Sequence, residues 1–381
     1  MGIRIVADDK IPFLKGALDK VARVDYLPGG AITRDDLKNA DAVITRTRTK
    51  CDRKLLEGTG VRFIASATIG TDHIDTDYCA RNGIRWTNAP GCNSSSVQQY
   101  LVSTLLWLSY GKHLDLGKMT LGVVGIGNVG SKVARAAAIL GMRVLLNDPP
   151  RQRREGPGGF VDLEELCRKS DIITLHVPLT RSGQDATWHM VDRTFLQQVK
   201  TGATIINTSR GGVVDEKALG EEIWQKKLSE VILDVFEEEP GVNPDLLQMI
   251  SLATPHIAGY SLDGKANGTT MAVRSVSRYF GLDLDQWEPG SLPDPEPREI
   301  LVDASGKDPL EVLWEVYRQT YDVSADDRRL RADPSAFEKL RGNYPPRREP
   351  PAYSVRLFQG YQEIISMLEG LGFSVLSDFC A

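Results

Sequence analysis

The segment TLGVVGIGNVGSKVARAAAILGMRVLLND, residues 120–148, decides the architecture of this chain. Residues 121–124 read as a buried strand, residues 129–140 as a helix and residues 144–147 as a second strand. Between strand and helix stands Gly125-Ile126-Gly127-Asn128-Val129-Gly130, a G-x-G-x-x-G. In that setting Gly125 makes the tight turn, Gly127 lets a pyrophosphate approach the backbone, and the helix start at Asn128, Val129 and Gly130 offers amide donors to phosphate. Asp148 closes the second strand, where a carboxylate can accept both adenosine ribose hydroxyls and repels a 2'-phosphate. The expected cofactor is therefore NAD rather than NADP, a preference that the following Arg151, Arg153 and Arg154 oppose.

Outward from this segment the alternation continues. Apolar runs at residues 172–176, 203–207 and 231–233 are separated by helical patterns such as residues 217–227, which predicts a doubly wound parallel sheet. Upstream, residues 3–7, 42–45 and 63–67 repeat the pattern on a smaller scale, and the serines at 94–96 offer N-caps to an apolar helix. Downstream, residues 268–280 read as a helix returning to the first domain. Residues 283–298 carry four prolines among acidic side chains, as a linker does. The remainder reads as strand 300–302, helix 309–317, strand 353–358, helix 361–371 and strand 373–376. Residues 321–351 are expected to lack regular structure, and a stretch of that length implies packing against a partner subunit.

At 381 residues the chain is long enough for two or three domains. Its 46 basic against 51 acidic side chains argue against a general nucleic-acid binder. No apolar run reaches membrane-spanning length, and Asp8, Asp9 and Lys10 end the only apolar start that could open a leader. The five cysteines are scattered without metal-ligand spacing, so no metal is expected and the compartment should be reducing, the cytoplasm.

Three strand ends carry the chemistry. Asn207-Thr208-Ser209-Arg210-Gly211-Gly212 puts an arginine at the carboxyl edge of the sheet, where its planar fork matches a carboxylate. Asp234-Val235-Phe236-Glu237-Glu238-Glu239-Pro240 follows the next strand and Thr254-Pro255-His256 the last. Oxidising a 2-hydroxy acid requires a base for the hydroxyl proton as hydride leaves the same carbon, and His256 titrates in the useful range. Glu239, backed by Pro240, is the carboxylate expected to orient it. His73, His113 and His189 are expected to be structural or exposed, and His176 either packs or touches the cofactor edge.

Gly125 to Gly130, the run Ser209-Arg210-Gly211-Gly212-Val213-Val214-Asp215 and Pro255-His256 together resemble the D-isomer-specific 2-hydroxyacid dehydrogenase family. The resemblance implies that Arg210, Glu239 and His256 bind the substrate carboxylate, orient the base and transfer the proton. It also implies cofactor contacts from Val177, Thr208, Ser209, Asp234 and Gly259. At Val177 a threonine is often found, so only a backbone contact carries over there. The resemblance further implies a flavodoxin-like substrate domain (1–93 and 256–284), a Rossmann-type NAD domain (94–255) and a small C-terminal α/β dimerisation domain (285–381), hence a homodimer.

Within that family, Ala89-Pro90-Gly91-Cys92-Asn93, Asp148-Pro149-Pro150-Arg151, residues 255–265, Phe337-Glu338-Lys339-Leu340-Arg341 and Asn343-Tyr344 are similar to members that oxidise 4-phospho-D-erythronate in vitamin B6 synthesis. By that likeness Arg46, Thr47, Thr68 and Tyr260 line the substrate pocket between the first two domains. Arg46, Arg48 and Lys50 are the candidates for the phosphate, with Arg347 and Arg348 of a second subunit. Two rivals stand beside this expectation. One takes 3-phosphoglycerate, one carbon shorter. The other is a non-catalytic NADH-sensing corepressor on the same fold, which would not need Arg, Glu and His together.

Overall fold

Runs of Val, Ile and Ala too short for helices and apolar on both faces form strands wherever a parallel sheet can bury them on two sides. The computed structural model describes residues 2–377; Cys380 lies outside them. These residues fall into two compact units, Met1–Asn93 with Ser261–Pro293, and Ser94–Tyr260 with Asp294–Ala381.

In the first unit, β1 (Arg4–Asp8), β2 (Arg23–Leu27), β3 (Ala42–Thr45), β4 (Phe63–Ser66) and β5 (Arg85–Thr87) form one parallel sheet in the order β2-β1-β3-β4-β5. That order is flavodoxin-like, as expected. The helix Leu262–Phe280 covers one face, burying Ala272, Val273 and Val276 against Ile5, Ile44 and Phe63. It begins six residues before the stretch that reads as helical, because Gly264 and Gly268 dilute its propensity. Its true start is the Ser261 N-cap, whose hydroxyl accepts the Gly264 amide at 2.8 Å. Gly268 is required for packing: a Cβ there would stand 2.4 Å from the Ala67 carbonyl oxygen.

The second unit holds β6 (Thr120–Val124), β7 (Arg143–Asn147), β8 (Ile172–Leu175), β9 (Ala203–Asn207), β10 (Leu228–Leu233) and β11 (Leu252–Ala253), parallel in the order β11-β10-β9-β8-β6-β7. A single parallel bridge from Leu146 to Phe160 extends the edge beyond β7. With it, the sheet has the doubly wound Rossmann arrangement. A third parallel sheet, β12 (Glu299–Asp303), β13 (Ser354–Phe358) and β14 (Ser374–Ser377), is the small C-terminal α/β element.

Residues 321–351 depart from expectation. They contain helices Val323–Ala332 and Phe337–Gly342 rather than structureless chain. Val323, Leu330 and Phe337 are all fully buried, Val323 in one core cluster and the other two in another, and the charged residues between them disguise this. The stretch packs on its own unit, so its length is no argument for a partner. Asp327 accepts the amide of Ala253 on β11 at 2.8 Å, and Arg331 donates to the carbonyls of Leu247 and Ile250 at 2.5 and 2.8 Å. No described helix is long and apolar enough to cross a membrane. Among the described residues no cluster of His, Cys, Asp or Glu could hold a metal ion.

Candidate active site

The carboxyl ends of β6 to β11 all face one edge of the sheet, and the expected residues gather there. At β6, Gly125 adopts φ +88°, and a Cβ on it would lie 2.6 Å from the His176 carbonyl oxygen. A Cβ on Gly130 would lie 1.9 Å from the Gly125 carbonyl oxygen, so the helix Asn128–Ile139 is seated directly on the turn. Gly127 differs, because a Cβ there would meet nothing within 4 Å. Its exclusion of a side chain serves open space in front of the helix start, where a pyrophosphate would approach. Asp148 accepts the amides of Ile126 and Arg151 at 2.8 and 2.9 Å and so braces the same turn. Each carboxylate oxygen keeps a second lone pair for a ribose hydroxyl.

The loop after β9 is organised by Asn207, fully buried at the strand end. Its side-chain oxygen accepts from the Ser209 amide and hydroxyl at 3.0 and 2.7 Å, and its amide donates to the Arg210 carbonyl at 2.9 Å. Thr208 Oγ1 is buried without a hydrogen-bond partner among the described residues. An orphaned hydroxyl at the same sheet edge as the open glycine turn fits a dinucleotide held there. Arg210 Nη1 donates to its own Ser209 carbonyl at 2.9 Å. Neither Gly211 nor Gly212 owes its glycine to a positive φ. Instead, a Cβ on Gly211 would lie 1.8 Å from the Phe236 carbonyl oxygen, and one on Gly212 2.4 Å from the Trp188 ring. The Arg210 loop therefore presses on the backbone of the loop that carries Glu239.

That loop in turn joins the next. Glu239 Oε2 accepts from His256 Nδ1 at 2.7 Å while Oε1 accepts the Phe236 amide at 3.0 Å. Burial would raise the Glu239 carboxyl, but the hydrogen bond and charge of His256 prevail and hold it below the usual carboxylate range. Asp234 links the same two loops. Only 1% exposed, it accepts from the Thr254 hydroxyl and the Ile257 and Ala258 amides at 2.6, 2.7 and 2.9 Å. Its carboxylate thereby shapes the segment from His256 to Gly259 and Tyr260. Burial pushes its pKa up to about 6. The arginine, glutamate and histidine strand ends are thus contiguous, and the last two side chains are in direct contact.

Val177 flanks the glycine turn, its methyl 2.9 Å from where a Cβ on Gly125 would stand. His176 bonds the Thr174 hydroxyl at 3.0 Å, and burial pushes its pKa down to about 3, so it is neutral. His189, read as structural or exposed, forms a second imidazole–carboxylate pair with Glu237. In the first unit, Arg46 and Thr47 follow β3 and Thr68 follows its neighbour β4. Arg46 Nε is paired with the buried Asp8 at 3.2 Å, and Thr68 shares a hydrogen bond with Ser66 at 2.9 Å. Arg48 and Lys50 line a surface pocket of about 600 Å³ with Arg34 and Lys54, apart from Arg46.

The C-terminal segment supplies what the sequence reading missed. Arg341 Nε donates to the Tyr260 hydroxyl at 3.0 Å. Arg347, expected to reach a pocket from a second subunit, is 5% exposed within its own, donating to the Ala258 carbonyl at 2.6 Å with its guanidinium 4.3 Å from the Tyr321 ring centroid. No local signal marks either arginine, since both act across more than eighty residues of chain.

Residues 99–258 match the family described as D-isomer specific 2-hydroxyacid dehydrogenase, NAD binding domain, and residues 291–372 match a domain of unknown function, DUF3410. The chain is 47% identical over 355 residues to an erythronate-4-phosphate dehydrogenase of Bacteroides thetaiotaomicron, covering 93% of this chain and 99% of that one. It is 41% identical over 382 residues to the erythronate-4-phosphate dehydrogenase of Pseudomonas savastanoi, covering 97% and 99%. Among solved structures it is similar to D-lactate dehydrogenase from Aquifex aeolicus complexed with NAD and lactic acid. There the TM-score is 0.63 at 28% identity, over 74% of this chain and 97% of that one.

Proposed function

The chain belongs to the erythronate-4-phosphate dehydrogenase family of D-isomer-specific 2-hydroxyacid dehydrogenases, and from that premise we propose that it oxidises C2 of 4-phospho-D-erythronate, giving 2-oxo-3-hydroxy-4-phosphobutanoate for pyridoxal 5'-phosphate synthesis. The observation that carries the reading is the 2.7 Å contact between His256 Nδ1 and Glu239. A carboxylate accepting at Nδ1 fixes the tautomer that leaves Nε2 unprotonated, and Nε2 is then the base that takes the C2 hydroxyl proton. NAD, held by Gly125 to Gly130, Asp148, Thr208 and Ser209, supplies the hydride acceptor. Glu239 stabilises the imidazolium that results. Arg210 grips the substrate carboxylate through its fork and draws electron density toward the forming carbonyl. Tyr260 lines the substrate.

Purified protein with NAD should form NADH with 4-phospho-D-erythronate in preference to 3-phosphoglycerate. Arg210→Ala and His256→Ala should each remove turnover by at least about 100-fold. Normal rates in both variants would end the proposal.

We also place the enzyme in the cytoplasm as a homodimer formed through the C-terminal sheet. Its support is an exposed row across that sheet, Leu301 and Leu376 flanking Arg356 in register, with Leu301 57% exposed. The four described cysteines are buried and unbridged, consistent with a reducing compartment.

A further inference from the structure

Arg341 stands in the C-terminal segment, outside residues 99–258 that carry the dehydrogenase match. The helix Phe337–Gly342 is anchored by Phe337, fully buried and edge-on to Phe236 at 6.1 Å between centroids. Phe236 also gives its amide to Glu239, so this packing fixes the helix to the loop that holds the catalytic carboxylate. One turn on, the Arg341 guanidinium lies 5.6 Å from the Tyr260 ring centroid with Nε on the hydroxyl, and its charge is among those that keep Glu239 ionised. A fixed cation thus stands beside Glu239, His256 and Tyr260, contributed by the same chain.

Its fork is only partly used. The nearest carboxylate, Glu338, is 4.0 Å from Nη1, and among the described residues no acceptor hydrogen-bonds either terminal nitrogen. The other arginines of the segment differ. Arg331 is saturated by Asp327 and two carbonyls, and Arg347 is sealed beneath the Tyr321 and Tyr344 rings where no ligand reaches. Arg341 keeps 20% of its side chain exposed. A mostly buried guanidinium with two spare donor nitrogens and a path to solvent is complementary to a dianion. Arg46, the sequence candidate for that role, already has its carboxylate in Asp8.

We infer that Arg341 receives the distal phosphate of the substrate and sets the preference for phosphorylated over unphosphorylated acid; this rests on the preceding reading that the substrate is a phosphorylated 2-hydroxy acid. The carboxylate on Arg210 and the phosphate on Arg341 then hold the two ends of the molecule, with C2 presented to His256. Tyr260, bonded to Arg341, fixes the direction of the fork.

The test compares kcat and KM of the parent, Arg341→Met and Arg341→Lys on 4-phospho-D-erythronate and D-erythronate, with inorganic phosphate as a competitive inhibitor. Arg341→Met should raise KM for the phosphorylated acid by about 10- to 100-fold, the size expected for hydrogen bonds to a charged group, and raise the inhibition constant of phosphate in parallel. Arg341→Lys, which keeps charge without the fork, should recover part of both. If Arg341→Met lowers kcat on both acids by one factor while phosphate inhibits as before, Arg341 acts only through Tyr260 and Glu239 and the inference is overturned. Should Arg341→Met melt early, Arg341→Lys against the parent carries the comparison. If the parent ignores 4-phospho-D-erythronate but oxidises 3-phosphoglycerate, the proposed substrate falls, and 3-phosphoglycerate against glycerate tests Arg341 unchanged.

Discussion

Replacing Glu239 by glutamine removes one charge and almost no volume, and the geometry says why that is severe. Oε1 faces the Phe236 amide and Oε2 faces His256 Nδ1, so both positions are filled by acceptors. Glutamine has one acceptor and one donor to place there. With its oxygen toward Phe236, its NH2 faces Nδ1 and drives the proton to Nε2, which blocks the base. With its oxygen toward His256, two donors oppose each other at Phe236, a buried mismatch of about 1–3 kcal/mol. The productive tautomer is therefore disfavoured by that amount, and the imidazolium loses a charged partner worth about 1.5–3 kcal/mol more. Together these raise the barrier by roughly 2.5–6 kcal/mol, about 10²- to 10⁴-fold in kcat. The KM for NAD should stay within a few-fold of the parent, because the nucleotide turn is not involved. Steady-state NADH formation at saturating substrate, with NAD binding measured separately by fluorescence, reads both quantities. A Glu239→Gln enzyme that keeps kcat within threefold of the parent would refute the tautomer argument. The same pair predicts a direction with pH. His256 holds the Glu239 carboxyl below the usual carboxylate range in the folded chain, so its stabilisation is present above the ordinary glutamate range and is lost as pH falls through the lowered folded value.

Asp234→Asn leaves one carbonyl oxygen for three donors, so the Ala258 amide meets an NH2; Tm should fall by roughly 3–10 °C and kcat with it, and an unchanged melting curve would contradict the assigned scaffolding role. Gly211→Ala must displace the Phe236 carbonyl, 1.8 Å from the new Cβ, and should cost about 1–3 kcal/mol in denaturant unfolding together with activity. Gly127→Ala meets no protein atom within 4 Å, so it should unfold like the parent yet bind NAD at least tenfold more weakly by calorimetry, a pattern that equal NAD affinity would exclude. Leu301→Glu combined with Leu376→Glu should convert a dimer into a species of 42.0 kDa by light scattering, and a dimer that survives both charges would place the interface elsewhere.

What the sequence revealed divides along physical lines. The sheet of residues 120–253 was legible because each strand is apolar on both faces and each turn announces itself through glycine or a capping residue. The His256–Glu239 pair was legible because its two partners each end a strand at the same edge. The two edge strands of the first unit were not: β2 and β5 carry only exposed or partly buried side chains. Residues 321–351 misled because the acidic Asp326 and Asp327 are buried, so helices anchored by buried apolar residues looked like structureless chain. Their burial is satisfied only in three dimensions, by Tyr321, Tyr344, Arg329 and Arg331 and the Ala253 amide. Asp234 could be placed near the cofactor by resemblance, but its work of tying two loops together depends on hydrogen bonds that no spacing reveals.

The boundaries of sequence families and of physical units do not coincide here, and the difference bears on the chemistry. The NAD-domain match ends at residue 258 and the DUF3410 match begins at residue 291, which suggests a catalytic module followed by an appendage. Yet the segment from residue 254 to residue 260 is held from both modules at once: Asp234 fixes its amides from one side, while Arg347 takes the Ala258 carbonyl and Arg341 the Tyr260 hydroxyl from the other. Glu349 extends the clamp by accepting the Ser96 hydroxyl at 2.7 Å, and the Arg348 carbonyl takes the Gln99 side chain, at the start of the long helix Ser94–Lys112. His256 adopts φ +57°, a conformation a non-glycine residue keeps only when its surroundings impose it. Its neighbours Ala258 and Tyr260 are held by groups from both matches. The C-terminal segment therefore belongs to the positioning of the base, and a chain cut before it would lose the geometry of His256 even with every residue of the NAD-domain match in place.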